Sequence, residues 1–495
     1  MLAEAIPNIS FLWTLPFIAM LLAIATAPFI HKHWWEKNYP YVVALLGIIA
    51  SSYYFFGHGP VHRWVDGMEE YVSFIILLAA LFKISGGIVI KVTRKATPMV
   101  NVVLLLTGAV IANLFGTTGA AMLLIRPYLR MNRKHLRPYH VVFFIFIVAN
   151  CGGSLTPVGD PPLFLGYLMG VPFWWVIEHL RFIWTFAVGV LLVLFFIIDT
   201  IDHRSAERHH DDDPGPAVQI IGIHNFLFIL VVVAAVFQPG FFELLDQMRH
   251  SGSALTLVKM LVSREVLMLA AAVASRLLTP HTIYEHNEFG FGPIREVAIL
   301  FAGIFATMIP AIQFMQANAN DLPLKTPGHF YYASGVLSSV LDNAPTYKTF
   351  LDTRLGAVSP QDLESAREYL RAMTAARSLD IPPELPRGNV RSAVEAMVKY
   401  HGGDVLAGTI SEEELRVAFL LGVPAWNAFV IAISVGSVFW GACTYIGNGP
   451  NLMVKSIADA AGVHTPGFFM YIFKYTLPIL IPLYVAVWAI FFLWR

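Results

Sequence analysis

Charge is what this sequence has least of. Of its 495 residues only 13% are Asp, Glu, Lys or Arg, and 33 basic and 33 acidic side chains balance to zero. A soluble domain carries about 25% charged residues, which excludes an ordinary soluble protein. No basic surplus points to nucleic acid as a partner. Cysteine is almost missing: Cys151 and Cys443 lie in apolar surroundings and are expected as packed free thiols, not as a disulfide or a metal site. There is no Gly-x4-Gly-Lys-Ser/Thr loop to suggest ATP as an energy source. No catalytic constellation stands out, so neither an enzyme nor a cofactor is expected. Met1–Ser10 lacks Lys and Arg, so it lacks the positive start of a secretory signal. The apolar run Phe11–Ile30 is therefore expected as a retained helix.

Apolar sequence is what the chain has in quantity, at 57%. Spans are expected near 11–30, 40–57, 70–90, 138–168, 172–200, 222–238, 255–278, 293–314, 421–458 and 468–494, against about 20 residues for a membrane crossing. Two further apolar regions, 97–125 and 328–352, are interrupted in the middle. Trp34-Trp35 and Phe173-Trp174-Trp175 read as interfacial anchors.

Basic residues in short loops orient these spans. His31-Lys32-His33 with Lys37, then Lys91, Arg94 and Lys95, then Arg126, Arg130, Arg133, Lys134 and Arg137, then His203, Arg204 and Arg208 mark four cytoplasmic loops. The N-terminus then faces outward. Lys95 and Arg126 fall on the same side with only about 30 residues between them, where two crossings need about 40. A re-entrant hairpin resolves the conflict, with Gly116-Thr117-Thr118-Gly119 at its tip. A second hairpin is expected at 328–352, around Asp342-Asn343-Ala344-Pro345-Thr346.

Two polar, helix-breaking stretches interrupt the spans at 138–168 and 421–458. They are Ser154–Pro162 and Thr444–Leu452. With Thr156 set on Thr444 they share Thr-x-x-Gly, then Asp160 or Asn448, then Pro within two residues. Freed backbone groups are tolerated at membrane depth only where they line a site or are buried in protein. Paired breaks in two halves point to the binding site of a secondary transporter.

The expected fold is thus an all-α polytopic membrane protein built as an inverted repeat. Residues 1–213 form the first half and 214–495 the second, each with five spans and one re-entrant hairpin, and with the broken helices at the midplane. Residues 353–415, polar and charged, form an extramembrane insertion in the second half, expected outside the cytoplasm, with helices near Pro360–Ala376 and Asn389–Tyr400.

The matching stretches Asn113–Gly119, Asn150–Pro162, Arg295–Gly303, Leu341–Thr346 and Tyr445–Met453 resemble the ion transporter superfamily. Within it they are most similar to sodium/proton antiporters of the NhaD type, with citrate and dicarboxylate carriers as more distant relatives. The dicarboxylate carriers have Ser-Asn-Thr at both hairpin tips, from which Gly116-Thr117-Thr118 and Asp342–Thr346 depart. The resemblance implies a homodimer in the inner membrane.

Sodium prefers hard oxygen ligands. Thr117, Thr118, Asn150, Ser154, Thr156 and Asp160 are candidates for one half-site, and Asp342, Asn343, Thr346, Thr444, Asn448 and Asn451 for the other. A carboxylate at membrane depth costs about 2.5–3.5 kcal/mol on insertion scales, so it usually faces a cavity and has a function. Asp160 and Asp342 are therefore candidates to hold a proton or Na⁺ (or Li⁺) alternately. Glu296 reads as an interfacial partner of Arg295 or as a proton relay.

Plainer readings stand beside these. Asp160 and Asp342 sit where Asp caps a helix. Thr117 and Thr118 could bond back to a helix carbonyl. Gly86-Gly87 and Gly152-Gly153 read as close-packing sites. Lys348 is expected to snorkel to the interface, or else to pair with Asp342. His209-His210 with Asp211–Asp213 reads as a solvated loop. The function expected is Na⁺ (or Li⁺)/H⁺ exchange by alternating access. The alternatives are a sodium-coupled citrate or carboxylate symporter and, from another class, an intramembrane enzyme or scaffold built around 353–415.

Overall fold

A computed structural model of the chain describes residues 9–56, 59–92, 96–133, 135–205, 218–238, 240, 244–245, 259–287, 289–318, 323–385 and 387–493. The His209–Asp213 run and the basic residues Arg94, Lys95, Lys134 and Arg208 lie outside these residues. The described chain is predominantly helical. Its first half runs α1 (Leu15–Ile30), α2 (Lys32–Phe56), α3 (Val61–Ser85), α4 (Pro98–Met131), α5 (Pro138–Ile147), α6 (Pro161–Leu168) and α7 (Phe173–Ser205). There follow α8 (Asn225–Ala235), α9 (Arg264–Leu278), α10 (Gly292–Ala317), α11 (Pro327–Val340) and α12 (Asn343–Gly356). The chain continues with α13 (Pro360–Ala376), α14 (Asn389–Ala407), α15 (Glu412–Gly422), α16 (Pro424–Trp440), α17 (Gly449–Ala460) and α18 (Phe468–Phe491).

Among the described residues, six helical segments are apolar and long enough by residue count to cross a membrane: Lys37–Phe56, Phe173–His203, Ile294–Ala317, Pro424–Cys443, Phe468–Phe491 and Pro98–Met131, the last of which is kinked at Gly116. Many large apolar side chains on them face outward, among them Leu45, Ile48, Phe182, Val193, Phe473 and Ile490. Such a surface suits lipid. The chain is a multi-pass membrane protein.

One detail departs from an all-helical fold. Val89 and Ile90 were expected at the end of the third span, but α3 stops at Ser85, before Gly86-Gly87. The β-branched run Val89–Val92 (β1) instead pairs antiparallel with Val218–Ile221 (β2), Val89 opposite Ile221 and Val92 opposite Val218.

The 34-residue α4 is a hairpin. Gly116 sits at its centre with φ 71° and ψ 155°, a conformation open to glycine and strained for other residues. The two arms fold back together. Gly108 and Leu124, each eight positions from Gly116, are near enough that a Cβ on Gly108 would lie 3.1 Å from a Leu124 methyl. At the base of the hairpin the amides of Asn101 and Asn132 exchange two 2.9 Å hydrogen bonds. Helices α11 and α12 form the second hairpin, hinged at the extended residues Leu341 and Asp342, and Phe330 meets Phe350 across its arms at 6.1 Å.

Both hairpins pack against a deeply buried centre. Every residue of α5 from Tyr139 to Ile147 is buried, as is α16 from Ala428 to Trp440. These helices are apolar nearly all round because neither meets solvent or lipid along that length. Cys151 and Cys443 are buried free thiols, as expected.

Residues 358–419 carry an apolar cluster of their own. Leu363, Ala366, Leu370 and Met373 on α13 recur at helical spacing and meet Val394 and Met397 of α14 and Leu415 and Phe419 of α15. Helix α13 spans the residues expected, while α14 runs on from the expected Tyr400 to Ala407. Serine 411 caps α15 with Glu414 in a reciprocal capping box.

Close approach of the first hairpin to the first break yields a prediction. A Cβ on Gly152 would overlap the Ile147 carbonyl oxygen and the Ala109 backbone. Gly152→Ala is expected to destabilise the protein by about 1–3 kcal/mol, read as a lowered thermal midpoint in detergent. Gly189→Ala, with nothing within 4 Å of the new methyl, is expected to leave the midpoint in place.

Candidate functional site

Where a helix is interrupted inside a protein, its freed carbonyls need donors. After α5 the chain makes a short turn at Cys151–Gly153 and reaches the extended Asp160 before α6. Asn150 Nδ2 donates to Ile145 O (2.8 Å), and the Gly152 carbonyl accepts from Asn113 Nδ2 (2.8 Å) and Trp184 Nε1 (2.9 Å). The second break, between α16 and α17, is served in the same manner. Asn451 Nδ2 donates to Gly441 O (2.8 Å) and Thr444 O (2.9 Å), Tyr471 OH to Ala442 O (2.8 Å) and Thr476 Oγ1 to Cys443 O (2.7 Å). Tyr471 and Thr476 lie at the π-helical stretch Ile472–Leu480 of α18.

The two threonines that align the breaks play matching parts. Thr156 Oγ1 donates to Asn113 O of the first hairpin (2.6 Å) and accepts from Gly159 N (3.1 Å). Thr444 Oγ1 donates to Ser339 O of the second hairpin (2.5 Å) and accepts from Gly447 N (3.1 Å). Each hydroxyl is consumed in tying a break to its own hairpin.

Asp160 is where the parts converge. It stands at the N-cap of α6 but makes no capping bond, and it is 1% exposed. Its carboxylate turns to both hairpins instead. Oδ1 accepts from Thr117 Oγ1 (2.8 Å), Oδ2 from Asn343 Nδ2 (2.6 Å), and Oδ1 also from Asn448 Nδ2 at 3.4 Å. Thr117 opens the second arm of α4, Asn343 is the first residue of α12, and Asn448 immediately precedes α17. The N-terminal ends of four helical segments, α6, the second arm of α4, α12 and α17, thus meet at one carboxylate. Asp160 forms no ion pair with Lys, Arg or His among the described residues. Asn448 Nδ2 continues the chain to Asn150 Oδ1 (3.2 Å), and Asn150 Nδ2 to Asn451 Oδ1 (2.7 Å).

Two features leave room for a cation. The Asn343 side-chain oxygen is buried and accepts no hydrogen bond. A cavity of about 20 Å³, closed by Phe74, Leu77 and Leu81 of α3, touches Asp160, Thr117 and Thr118. That volume holds one water-sized particle and is far below the ~300–1,000 Å³ of sites for organic ligands. A larger groove of about 620 Å³ lies elsewhere, between α2, α3 and α10, with an apolar lining.

Of the residues singled out from sequence, the structure gathers Asp160, Thr117, Asn343, Asn448, Asn150 and Asn451 into one connected network, with Thr118 on the cavity. Thr156, Thr444 and Ser154, the last bonded to Cys151 O at 3.0 Å, are engaged with backbone. Asp342 does what Asp160 does not: its Oδ1 caps α12 at Ala344 N (3.2 Å), and Thr346 Oγ1 donates to its carbonyl (3.0 Å). Glu296 is exposed on α10 and is not a partner of Asp160.

Sequence reasoning missed Asn113 and the α18 hydroxyls as the satisfiers of the breaks. A pairing of each freed carbonyl with a donor needs the fold. Lys348 also corrects the expectation. It does not snorkel and does not pair with Asp342; it is 5% exposed, with Nζ 2.9 Å from Glu70 Oε2 of α3 and 3.4 Å from Asp352 Oδ2. Gln316 of α10 donates to Asp352 Oδ1 (3.1 Å). Opposite charges offset the cost of burying a charge this deep in the interior. Lys83, equally buried, instead lies 3.5 Å over the Tyr284 ring and 4.3 Å over Phe289.

Comparison with known families finds one whose profile, described as "Putative citrate transport", matches residues 6–492. No curated protein matches the chain.

Lys348→Met would leave Glu70 and Asp352 facing each other without a cation. It is expected to cost about 3–5 kcal/mol, measured by thermal unfolding, and adding Glu70→Gln and Asp352→Asn is expected to return most of the loss.

Proposed function

We propose that the chain, which belongs to this citrate-transport family of membrane transporters, exchanges Na⁺ or Li⁺ for H⁺ by alternating access. The observation that carries this reading is the lone buried carboxylate of Asp160, held by both hairpin tips beside a water-sized cavity. Asp160 and Thr117, which line the cavity, offer hard oxygen ligands suited to a small cation, and the second tip carries a further unbonded oxygen on Asn343. Burial disfavours a bare charge, so the carboxylate takes either a proton or a metal ion. Each side of the membrane reloads it with whichever is abundant.

The matching bonds of Thr156 and Thr444 support an inverted repeat, with the second half upside down in the bilayer and the site at its midplane. Residues 1–213 and 214–495 would be its two halves. In this arrangement the N-terminus and the 353–415 insertion face away from the cytoplasm, in a cell inner membrane, and two copies assemble as a homodimer. Asp160 carries the coupled proton. Asp342 positions the second tip by capping α12.

A second reading is sodium-coupled citrate uptake. It is favoured by the family's description and by the four helix N-termini, which attract an anion. Repulsion from Asp160, the missing basic partner and the small cavity weigh against it.

Everted vesicles with an imposed ΔpH and a pH dye test the proposal. Addition of Na⁺ or Li⁺ is expected to dissipate ΔpH, and Asp160→Asn to reduce the response to that of vesicles lacking the protein. Protons and Na⁺ compete, so half-saturating Na⁺ rises as pH falls, by about tenfold per pH unit on the acid side for one-for-one competition. Sodium-dependent uptake of labelled citrate, with no ΔpH response, would favour the second reading.

A further inference from the structure

Helix α14 is interrupted at His401, which has φ −128° and ψ 30° within the helix. The interruption turns the imidazole toward α15 and toward the turn after α6. There its Nε2 donates to the Gly170 carbonyl at 3.0 Å, which leaves Nδ1 facing two carboxylates. Nδ1 lies 3.8 Å from Asp404 Oδ2 and 3.9 Å from Glu414 Oε1.

The carboxylates are oriented in the same fashion. Asp404 Oδ1 accepts from Thr409 Oγ1 (3.3 Å), and Glu414 Oε2 from the Ser411 backbone N–H (2.8 Å). Each of the three side chains therefore has one polar atom committed outside the group and one aimed into it. The three inward atoms all lie within 4.8 Å of one another. Ligands held by one zinc ion at about 2.0–2.1 Å sit about 3.4 Å apart in a tetrahedron, so the two carboxylates must close on Nδ1 from 3.8 and 3.9 Å and on each other from no more than 4.8 Å. A ligating histidine typically donates its other ring N–H to a carbonyl or carboxylate, as His401 does. The side chains are 13%, 46% and 25% exposed for His401, Asp404 and Glu414, so an ion can enter from solvent and complete its shell with water.

We propose that His401, Asp404 and Glu414 bind a divalent transition-metal cation of the zinc class that locks α14 to α15, while the other nitrogen of His401 holds the turn after α6 through the Gly170 carbonyl. An imidazole with two carboxylates suits Zn²⁺, Co²⁺ or Ni²⁺, whereas Mg²⁺ prefers an all-oxygen shell. The turn is built for close approach. Gly170 has φ 101°, and a Cβ there would lie 3.1 Å from the Glu414 Cα. Helix α6, which ends at this turn, begins at Asp160, so His401 joins the insertion to the helix that starts at the buried carboxylate.

Isothermal titration of the chelator-stripped full chain with ZnCl₂ and with MgCl₂ tests this, independently of any transport activity. The expected result is one equivalent of Zn²⁺ bound and no Mg²⁺. His401→Gln and Asp404→Asn should each weaken Zn²⁺ binding at least about tenfold, while His281→Gln, at an exposed His–Glu pair on the short helix His281–His286, leaves it unchanged. Asp404 is half exposed, so Asp404→Asn should keep the wild-type thermal midpoint without metal. Co²⁺ loading should give a ligand-field absorption spectrum that His401→Gln alters. Failure of the wild type to bind, or binding indifferent to both substitutions, would overturn the proposal and leave the group as an imidazolium between two carboxylates.

Discussion

A carboxylate sealed from water must be given hydrogen-bond donors, and Asp160 receives them from three separate helix starts. Thr117 comes from one hairpin, Asn343 from the other, and Asn448 from the opposite break. The positions of both tips are therefore tied to one acid. If a cation or a proton takes a share of that carboxylate, the donors on both tips must adjust together. Such coupling of an ion's presence to the placement of two hairpins is the physical requirement for carrying an ion across by a change of shape.

The rest of the interior makes this arrangement possible. Two interrupted helices expose carbonyls that the bilayer cannot satisfy, and asparagine, tryptophan, tyrosine and threonine side chains supply the donors. Asn113 spans the first hairpin and the first break. Asn451, Tyr471 and Thr476 do the same work around the second. Lys348, Glu70 and Asp352 then fix the second arm of the second hairpin against α3 with buried charges. Around this polar centre lies apolar helix, which explains how so few charges can suffice.

Much of this was legible in the sequence, and for identifiable reasons. Gly and Pro inside apolar runs announced both breaks, because their effect on a helix is local. Too short an apolar stretch between Lys95 and Arg126 announced the first hairpin, which the Gly108–Leu124 approach bears out. Helix α13 spans the Pro360–Ala376 stretch expected within the polar 353–415 segment. What the sequence left open depends on contacts distant in the chain. Asp160 and Asp342 looked equivalent as caps, yet only Asp342 caps, because only Asp160 has Thr117 and Asn343 within reach. Lys348 looked like an interfacial lysine because its partner Glu70 lies 278 residues away. The short β pair was hidden because Gly86-Gly87 reads equally well as a close-packing site inside a span, and the partner strand Val218–Ile221 lies far away in the sequence.

The most direct measurement of the central claim is proton release on ion binding. Purified protein in weakly buffered detergent solution is mixed with NaCl, and the pH change is followed with a dye. If Asp160 holds a proton or a sodium ion in turn, Na⁺ releases a proton from the wild type near the pH where the site is half protonated, K⁺ does not, and Asp160→Asn abolishes the release. No release from the wild type across the pH range, or an equal release from Asp160→Asn, would contradict it.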